Sequence, residues 1–389
     1  RFQPRGFRLY TTTPLGKGPG DQYPTPLLFV EFHLAYLTPS SRPSHHGVVG
    51  WLYLCAFMVI AMMVIGAITR LTESGLSIVE WRPLIGTLPP LSTIEWTRVF
   101  DLYQQTSEYK IANDGMNLIE FKTIFWWEYI HRLWGRLIGM VFGVPFLFFL
   151  FTRKIPPGKT PHLITLFILG GLQGVIGWWM VKSGFVDRTD VSQYRLAIHL
   201  GMAFFILGYI LWVAMDITHA RGAHTPQALR PLAMIVTMAV FVTILSGGLV
   251  AGSNAGLIHN TWPLMDGGLM PTDLFQMEPW WLNAFENLNT IQFDHRIMAY
   301  LTTGLVLLLW AKGRATPIGT RAHKALSWLA LSVAIQICLG VMTLLLVVPL
   351  PIAVLHQLGA VSVFCLSVWN LHAFHDAKAT ESRREAPQP

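Results

Sequence analysis

The stretch Gly66-Ala-Ile-Thr-Arg-Leu-Thr-Glu-Ser-Gly75-Leu76, followed by Trp81, lines up without gaps with Gly247-Gly-Leu-Val-Ala-Gly-Ser-Asn-Ala-Gly256-Leu257, followed by Trp262. Self-similarity of this kind marks a chain built twice from one unit. The match continues in the same order along the chain. His131-Arg132 answers to His295-Arg296, Gln173 and Gly177 to Gln336 and Gly340, and His199-Leu-Gly201 to His356-Gln-Leu-Gly359.

The repeated unit belongs in a bilayer. Of 389 residues 52% are hydrophobic and only 13% charged, too apolar for an ordinary soluble domain. A helix needs about 20 mostly apolar residues to cross the hydrocarbon core. Eight such runs lie at 48–68, 126–151, 161–181, 195–216, 229–252, 291–311, 322–348 and 351–372. Each unit then has four spans, so both enter the membrane in one orientation and their symmetry axis lies along the membrane normal, unlike the inverted repeats of many transporters. The expected fold is an all-α, polytopic membrane protein of eight transmembrane helices in two pseudo-symmetric four-helix bundles, whose interiors are where facing helices build cofactor sites.

A formal charge of +7 does not indicate nucleic acid, because the basic residues mark one side of the bilayer. The loop 71–125 carries seven acids against four bases, and 253–290 four acids and no Lys or Arg. The short connections with Arg153, Lys154 and Lys159, with Arg221, and with Lys312, Arg314 and Arg321 are basic, and both termini carry Lys and Arg. The positive-inside rule therefore places both termini in the cytoplasm or matrix, in a bacterial plasma membrane or a mitochondrial inner membrane. The resulting division is a tail (1–47), an N-terminal half (48–220), a C-terminal half (221–372) and a tail (373–389). The first tail, with Arg1, Arg5 and Arg8 before any acid and then Pro- and Ser-rich sequence, suits either a targeting remnant or a disordered arm. Cys55, Cys338 and Cys365 all fall in spans and read as small apolar helix residues.

Ionisable residues inside spans point to function. A lone histidine there is more often a helix-to-helix hydrogen bond, but His131, His199, His295 and His356 recur at repeat-related positions, each one to two turns from the outer end of its span. Two parallel helices that aim imidazoles at one another have the geometry of axial haem ligation, which pairs His131 with His199 and His295 with His356. Zinc or copper wants three or four clustered ligands, and none accompany these histidines. Gly135, Gly139, Gly201 and Gly359 would let a flat macrocycle approach the backbone, or serve plain helix packing. Arg132, Arg136 and Arg296 are candidate partners for haem propionates, the alternative being an ion pair with Glu128 or Asp294. His372 and His375, at the inner ends, read as interfacial.

The halves differ three residues before the first histidine of each pair: Glu128 in one, Gln292 in the other. Glu128 shares a helical face with His131 and can accept a proton or stabilise positive charge, whereas Gln292 can only hydrogen-bond. The outer loop of the first half, about 55 residues, is long enough for amphipathic helices around 93–105 and 116–122 that would lid the site. A large substrate needs an opening and a permanent cofactor does not, so substrate is expected in the first half and cofactor in the second.

The segments Thr69-Arg-Leu-Thr-Glu-Ser-Gly-Leu-Ser77, Glu128-Tyr-Ile-His-Arg-Leu-Trp-Gly-Arg136, Gly177-Trp-Trp-Met-Val-Lys-Ser-Gly184, Gln193-Tyr-Arg-Leu-Ala-Ile-His199, Ala251-Gly-Ser-Asn-Ala-Gly-Leu257, Asn260-Thr-Trp-Pro-Leu-Met265, Phe285-Glu-Asn287 and Gln292-Phe-Asp-His-Arg296 resemble the haem A synthase family, in its mitochondrial and alphaproteobacterial branch. The resemblance runs from Val48 to His372. It implies haem b ligated by His295 and His356, haem O as substrate facing His131 and His199, and Glu128 as the essential carboxylate. The implied reaction hydroxylates the C8 methyl of haem O twice, the diol then losing water to give the formyl group of haem A for cytochrome oxidase. The candidate partners are an electron donor that the sequence does not name, haem O synthase, cytochrome oxidase assembly factors, and a second copy of the chain in a homo-oligomer. The outer-loop cysteine pair of the Gram-positive branch is missing. Four histidines alone suit a di-haem electron-transfer subunit equally well; Glu128 against Gln292 does not.

Overall fold

A computed structural model of the chain describes residues 45–80, 88–185, 189–218 and 227–375. The N-terminal tail up to residue 44, Trp81, Arg221 and the end of the C-terminal tail lie outside the described residues. The remainder is helical, with one isolated bridge between Met265 and Gly268 as its only β pairing among the described residues.

Eight long helices carry the architecture: α1 (His46–Leu71), α4 (Leu118–Phe151), α5 (Thr160–Lys182), α6 (Gln193–Thr218), α7 (Arg230–Gly252), α9 (Leu288–Arg314), α10 (Thr320–Leu345) and α11 (Leu350–His375). Short α2 (Thr93–Gln104) and α3 (Ser107–Ala112) lie between α1 and α4, and α8 (Asn283–Glu286) precedes α9. Seven of the eight are long and apolar enough to cross a membrane. The exception, α9, has 27 residues, but Gln292, Asp294, His295 and Arg296 crowd its first third.

Helix starts follow local chemistry. Asn117 caps α4 by accepting from the Ile119 and Glu120 amides at 2.9 and 3.1 Å, while the Glu120 carboxylate reaches back to the Asn117 amide at 2.9 Å. This capping box corrects one sequence expectation: residues 118–122 are not part of a separate surface helix but the first turn of the 34-residue α4. At 1.5 Å per residue that helix is about 50 Å long, well beyond a hydrocarbon core of about 30 Å. Its projecting turns carry Phe121 and Phe125, which with Tyr103 and Tyr129 form a small aromatic core under α2 and α3.

Within the first half α1 packs on α4 and α6, and α5 packs on the same two helices. The four make a ring in which α4 and α6 stand diagonally opposite. In the second half α7 and α10 each pack on α9 and α11, so α9 and α11 are the diagonal pair. The halves join where α6 meets α7, α11 meets α1, and α6 meets α11. The first two contacts exchange under the repeat and the third lies on its axis. Small residues permit close approach there: Gly208 of α6 faces Phe364 and Val368 of α11, and Gly248 of α7 faces Ala197 and Leu200 of α6. One apolar core, including Leu52, Phe146, Leu207, Val240, Leu329 and Phe364, runs through both halves.

Candidate functional site

The four histidines sit on the diagonal helices, His131 on α4, His199 on α6, His295 on α9 and His356 on α11. Each is backed by a glycine of the long helix that precedes its own, α1, α5, α7 and α10 in turn. A Cβ added at Gly66 would stand 3.3 Å from His131 Nε2, and one at Gly177 2.9 Å from His199 Cε1. In the second half the same test puts Gly247 at 3.0 Å from His295 Cε1 and Gly340 at 2.9 Å from His356 Cε1. All four glycines fall five residues before the last residue of their helices, Leu71, Lys182, Gly252 and Leu345, so the four imidazoles occupy one level near one end of the bundle. A notch that any side chain would fill seats each ring against a neighbouring backbone.

Two seated imidazoles on diagonal helices of each ring suit a planar macrocycle held through its iron by two axial ligands. Among the described residues no three His, Cys, Asp or Glu side chains come together as a metal-binding group. The donor set therefore fits haem. Of the two uses the sequence left open for its glycines, macrocycle approach or helix packing, three glycines show packing. Gly201 faces Phe241 and Leu245 of α7, Gly135 faces Met62 of α1, and Gly359 faces Gln336 of α10, so these three serve helix packing.

Side-chain partners distinguish the two pairs. His295 Nδ1 lies 2.9 Å from Ser246 Oγ, whose hydroxyl donates to the Thr243 carbonyl at 2.8 Å. His356 Nδ1 lies 3.1 Å from Gln336 Nε2, which also donates to the His356 carbonyl at 3.0 Å. In the first half Gln173 Nε2 donates to the His199 carbonyl at 3.0 Å, but His199 Nδ1 has no hydrogen-bond partner among the described residues. The place of Ser246 is taken by Ile65. Partners on the second ring nitrogen orient an imidazole, and the second half has them for both rings.

Glu128 is buried, 3% exposed, and fully engaged. One oxygen accepts from Ser77 Oγ and from the Ile78 amide, each at 2.7 Å; the other pairs with the Arg132 guanidinium. Arg132 also donates to the Ile78 carbonyl at 2.9 Å. The second half repeats the arrangement in neutral form. Gln292 Nε2 donates to the Ala255 carbonyl at 3.0 Å, and its oxygen accepts from Arg296 at 3.2 Å. Arg296 further donates to the carbonyls of His259 at 2.7 Å and Thr261 at 3.0 Å, while its Nε has no partner among the described residues. Both arginines thus clamp the loop that follows α1 or α7. Of the ion pairs considered from sequence, Arg132 forms the one with Glu128. Arg136 is half-buried one turn further along α4.

Three features escaped the sequence reading. Arg195, one turn before His199, stacks on Trp179 at 4.4 Å and donates to its carbonyl at 2.7 Å; the i−4 spacing was the available signal. Glu108 on α3 is 4% exposed beneath the surface of the loop. His372 is not interfacial but 1% exposed, packed against Trp212 with Arg321 3.1 Å away. At the histidine end an open cleft of about 380 Å³ lies between the halves, lined by Asp190, Gln193, Asn254 and Glu286 among others. Arg70 bridges across it, donating to Asn254 Oδ1 at 3.0 Å and pairing with Asp190 at 3.5 Å.

Seven helices long and apolar enough to cross a membrane, in an all-helical bundle, define a polytopic integral membrane protein. Residues 49–368 match the profile of the cytochrome oxidase assembly protein family, and the chain belongs to that family. It is 51% identical over 326 residues to the heme A synthase of Nitrosospira multiformis, covering 83% of this chain and 92% of the relative. Heme A synthases of Parvibaculum lavamentivorans and Rhodospirillum centenum are each 48% identical, over 329 and 343 residues, covering 85% and 86% of this chain and 94% and 92% of theirs.

Proposed function

We propose that the chain is a haem A synthase that takes haem O as substrate in its first half and holds haem b in its second. In this reading His131 and His199 would face the substrate, and His295 and His356 would hold haem b. Bound haem b supplies one-electron redox chemistry beside the substrate half. The observation that carries the division is the exchange of one charged group for a neutral one in otherwise repeated surroundings, Glu128 with Arg132 against Gln292 with Arg296.

Glu128 does its work from a fixed position. Three donors hold its carboxylate within one turn of His131, where it can stabilise positive charge at the C8 methyl or take a proton from it. Two successive two-electron oxidations of the methyl, driven by an external oxidant such as the oxygen supplied in the test below, would give a geminal diol, and loss of water would leave the formyl group. Arg132, Arg136, Arg195 and Arg296 lie within two turns of a histidine along their helices and would serve haem propionates, with Arg296 Nε the donor left over in the second half. The second-half ring partners, Ser246 and Gln336, suit a cofactor that stays; the freer His199 suits a substrate that must leave. All eight long helices span the membrane, the histidine end faces away from the cytoplasm or matrix, and both termini lie inside.

The test is to purify the protein from membranes supplied with haem O and extract its haems. Haem A together with singly hydroxylated haem is expected. Unmodified haem O alone, after incubation with a reductant and oxygen, would refute the activity.

A further inference from the structure

Ser246 touches one of the four histidine rings, and its bonding is one-sided. A serine hydroxyl has one hydrogen to donate and two lone pairs. That of Ser246 donates to the Thr243 carbonyl at 2.8 Å, one turn back along α7, while Nδ1 of His295 lies 2.9 Å from the same oxygen. With its hydrogen committed, the hydroxyl meets the ring only as an acceptor. In a neutral imidazole one nitrogen carries the proton, and the partner of the other decides which. Nδ1 therefore holds the proton of His295, and Nε2 keeps a free lone pair.

The ring is also held in place. Gly247, the next residue of α7, backs it so closely that a Cβ there would stand 3.0 Å from Cε1. Further along the same pair of helices Thr243 Oγ1 lies 2.8 Å from the buried Thr302 Oγ1 of α9. These two contacts, two turns apart on α9, fix its register against α7. Among the described residues no other ring of the four has a hydroxyl on Nδ1. An amide nitrogen, that of Gln336, faces Nδ1 of His356, and Nδ1 of His199 has no partner. In the first half Ile65, with no hydrogen-bonding side chain, takes the place of Ser246 beside Gly66.

We infer that Ser246 is a positioning residue, which holds His295 in the tautomer able to ligate iron and lowers the reduction potential of the haem held there. A hydrogen bond accepted from Nδ1–H leaves more electron density on the ring, so Nε2 becomes the stronger donor and ferric iron is favoured over ferrous. Ile65 gives the first half no such bond. The inference rests on the reading that the second half holds haem b.

The test uses the full chain purified in detergent with its haem, as native protein, Ser246→Ala and Ser246→Thr. Redox titration followed by the b-type absorbance gives the midpoint potential, and transfer to excess apomyoglobin gives the strength of haem retention. Ser246→Ala should raise the potential and hold haem b about tenfold or more less tightly. Ser246→Thr restores a hydroxyl and should return both quantities to near the native values. An unmoved potential in Ser246→Ala would overturn the inference, whether or not haem content falls, since loss of packing alone lowers content without shifting the potential. The functional reading fails by a different result: haem b that persists after His295 and His356 are both replaced by Ala does not sit in the second half, and the inference falls with that reading. Should Ser246→Ala fail to assemble, Ser246→Cys decides. Sulfur is the weaker acceptor, so the potential must still rise, and an unmoved potential refutes the role.

Discussion

Replacing Glu128 by Gln removes a charge while nearly preserving a shape, and the structure allows its cost to be worked out. The carboxylate has three partners, Ser77, the Ile78 amide and Arg132. Hydrogen bonds to charged groups are worth about 1.5–3 kcal/mol each, and a glutamine can keep some of them only at neutral strength. If its oxygen turns to Arg132, as that of Gln292 does to Arg296, its amide meets the Ile78 amide donor to donor. We expect a loss of about 3 kcal/mol in stability, less than complete separation of a buried ion pair because Arg132 keeps the Ile78 carbonyl. The protein should still fold and bind haem. Turnover should fall by about 10²-fold or more, with the singly hydroxylated haem accumulating. The assay compares bound haem, by absorbance, with product haems, by chromatography, in native and Glu128→Gln protein prepared identically. A normal yield of haem A would remove Glu128 from the mechanism, and loss of all haem would make its role structural.

Gly177→Ala and Gly340→Ala each place a methyl 2.9 Å from a histidine ring and should displace it, shifting the haem spectrum. An unaltered spectrum in both would refute the seating of the rings. A reporter fused after Arg314 should read as cytoplasmic or matrix-side; an external reading breaks the orientation proposed for all eight helices. Glu108, pushed from 4.5 to about 8, binds its proton more tightly in the folded state, so its contribution to stability is present at low pH and is lost as pH rises from about 4.5 through about 8. Chemical denaturation across that range should show a slope that Glu108→Gln flattens, and an identical slope in the variant would place the titration elsewhere.

Hydropathy and the repeat made most of the architecture legible, because long apolar runs and a gapless internal match both survive in one dimension. The recurrence of the four histidines was legible for the same reason. Their seats were not, although Gly66, Gly177, Gly247 and Gly340 all lie within the repeated segments: which glycine backs which ring depends on the register between helices, which only packing sets. The sequence pointed to Gly201 and Gly359, which follow their histidines closely along the chain but turn toward α7 and α10. The start of α4 was misread as a separate short helix because the apolar run begins only near Trp126, and the capping box at Asn117 and Glu120 opens one continuous helix. Glu108 was one acid among seven in its loop, and nothing in a string of residues separates a solvated carboxylate from one closed over by aromatic rings. Glu128 stood out by its difference from Gln292, but its partners Ser77 and Ile78 lie some 50 residues away and needed the fold.

The division of labour between the halves is the centre of the account, and haem content tests it most directly. Two double variants, His131→Ala with His199→Ala and His295→Ala with His356→Ala, are purified from membranes that contain both haem b and haem O, and their bound haems are extracted and identified. The first should retain haem b and lack haem O and its hydroxylated forms. The second should lose haem b and with it the b-type absorbance of the purified protein. Loss of haem b from the first variant with retention in the second would reverse the assignment, and equal loss of both haems from either would contradict two independent sites.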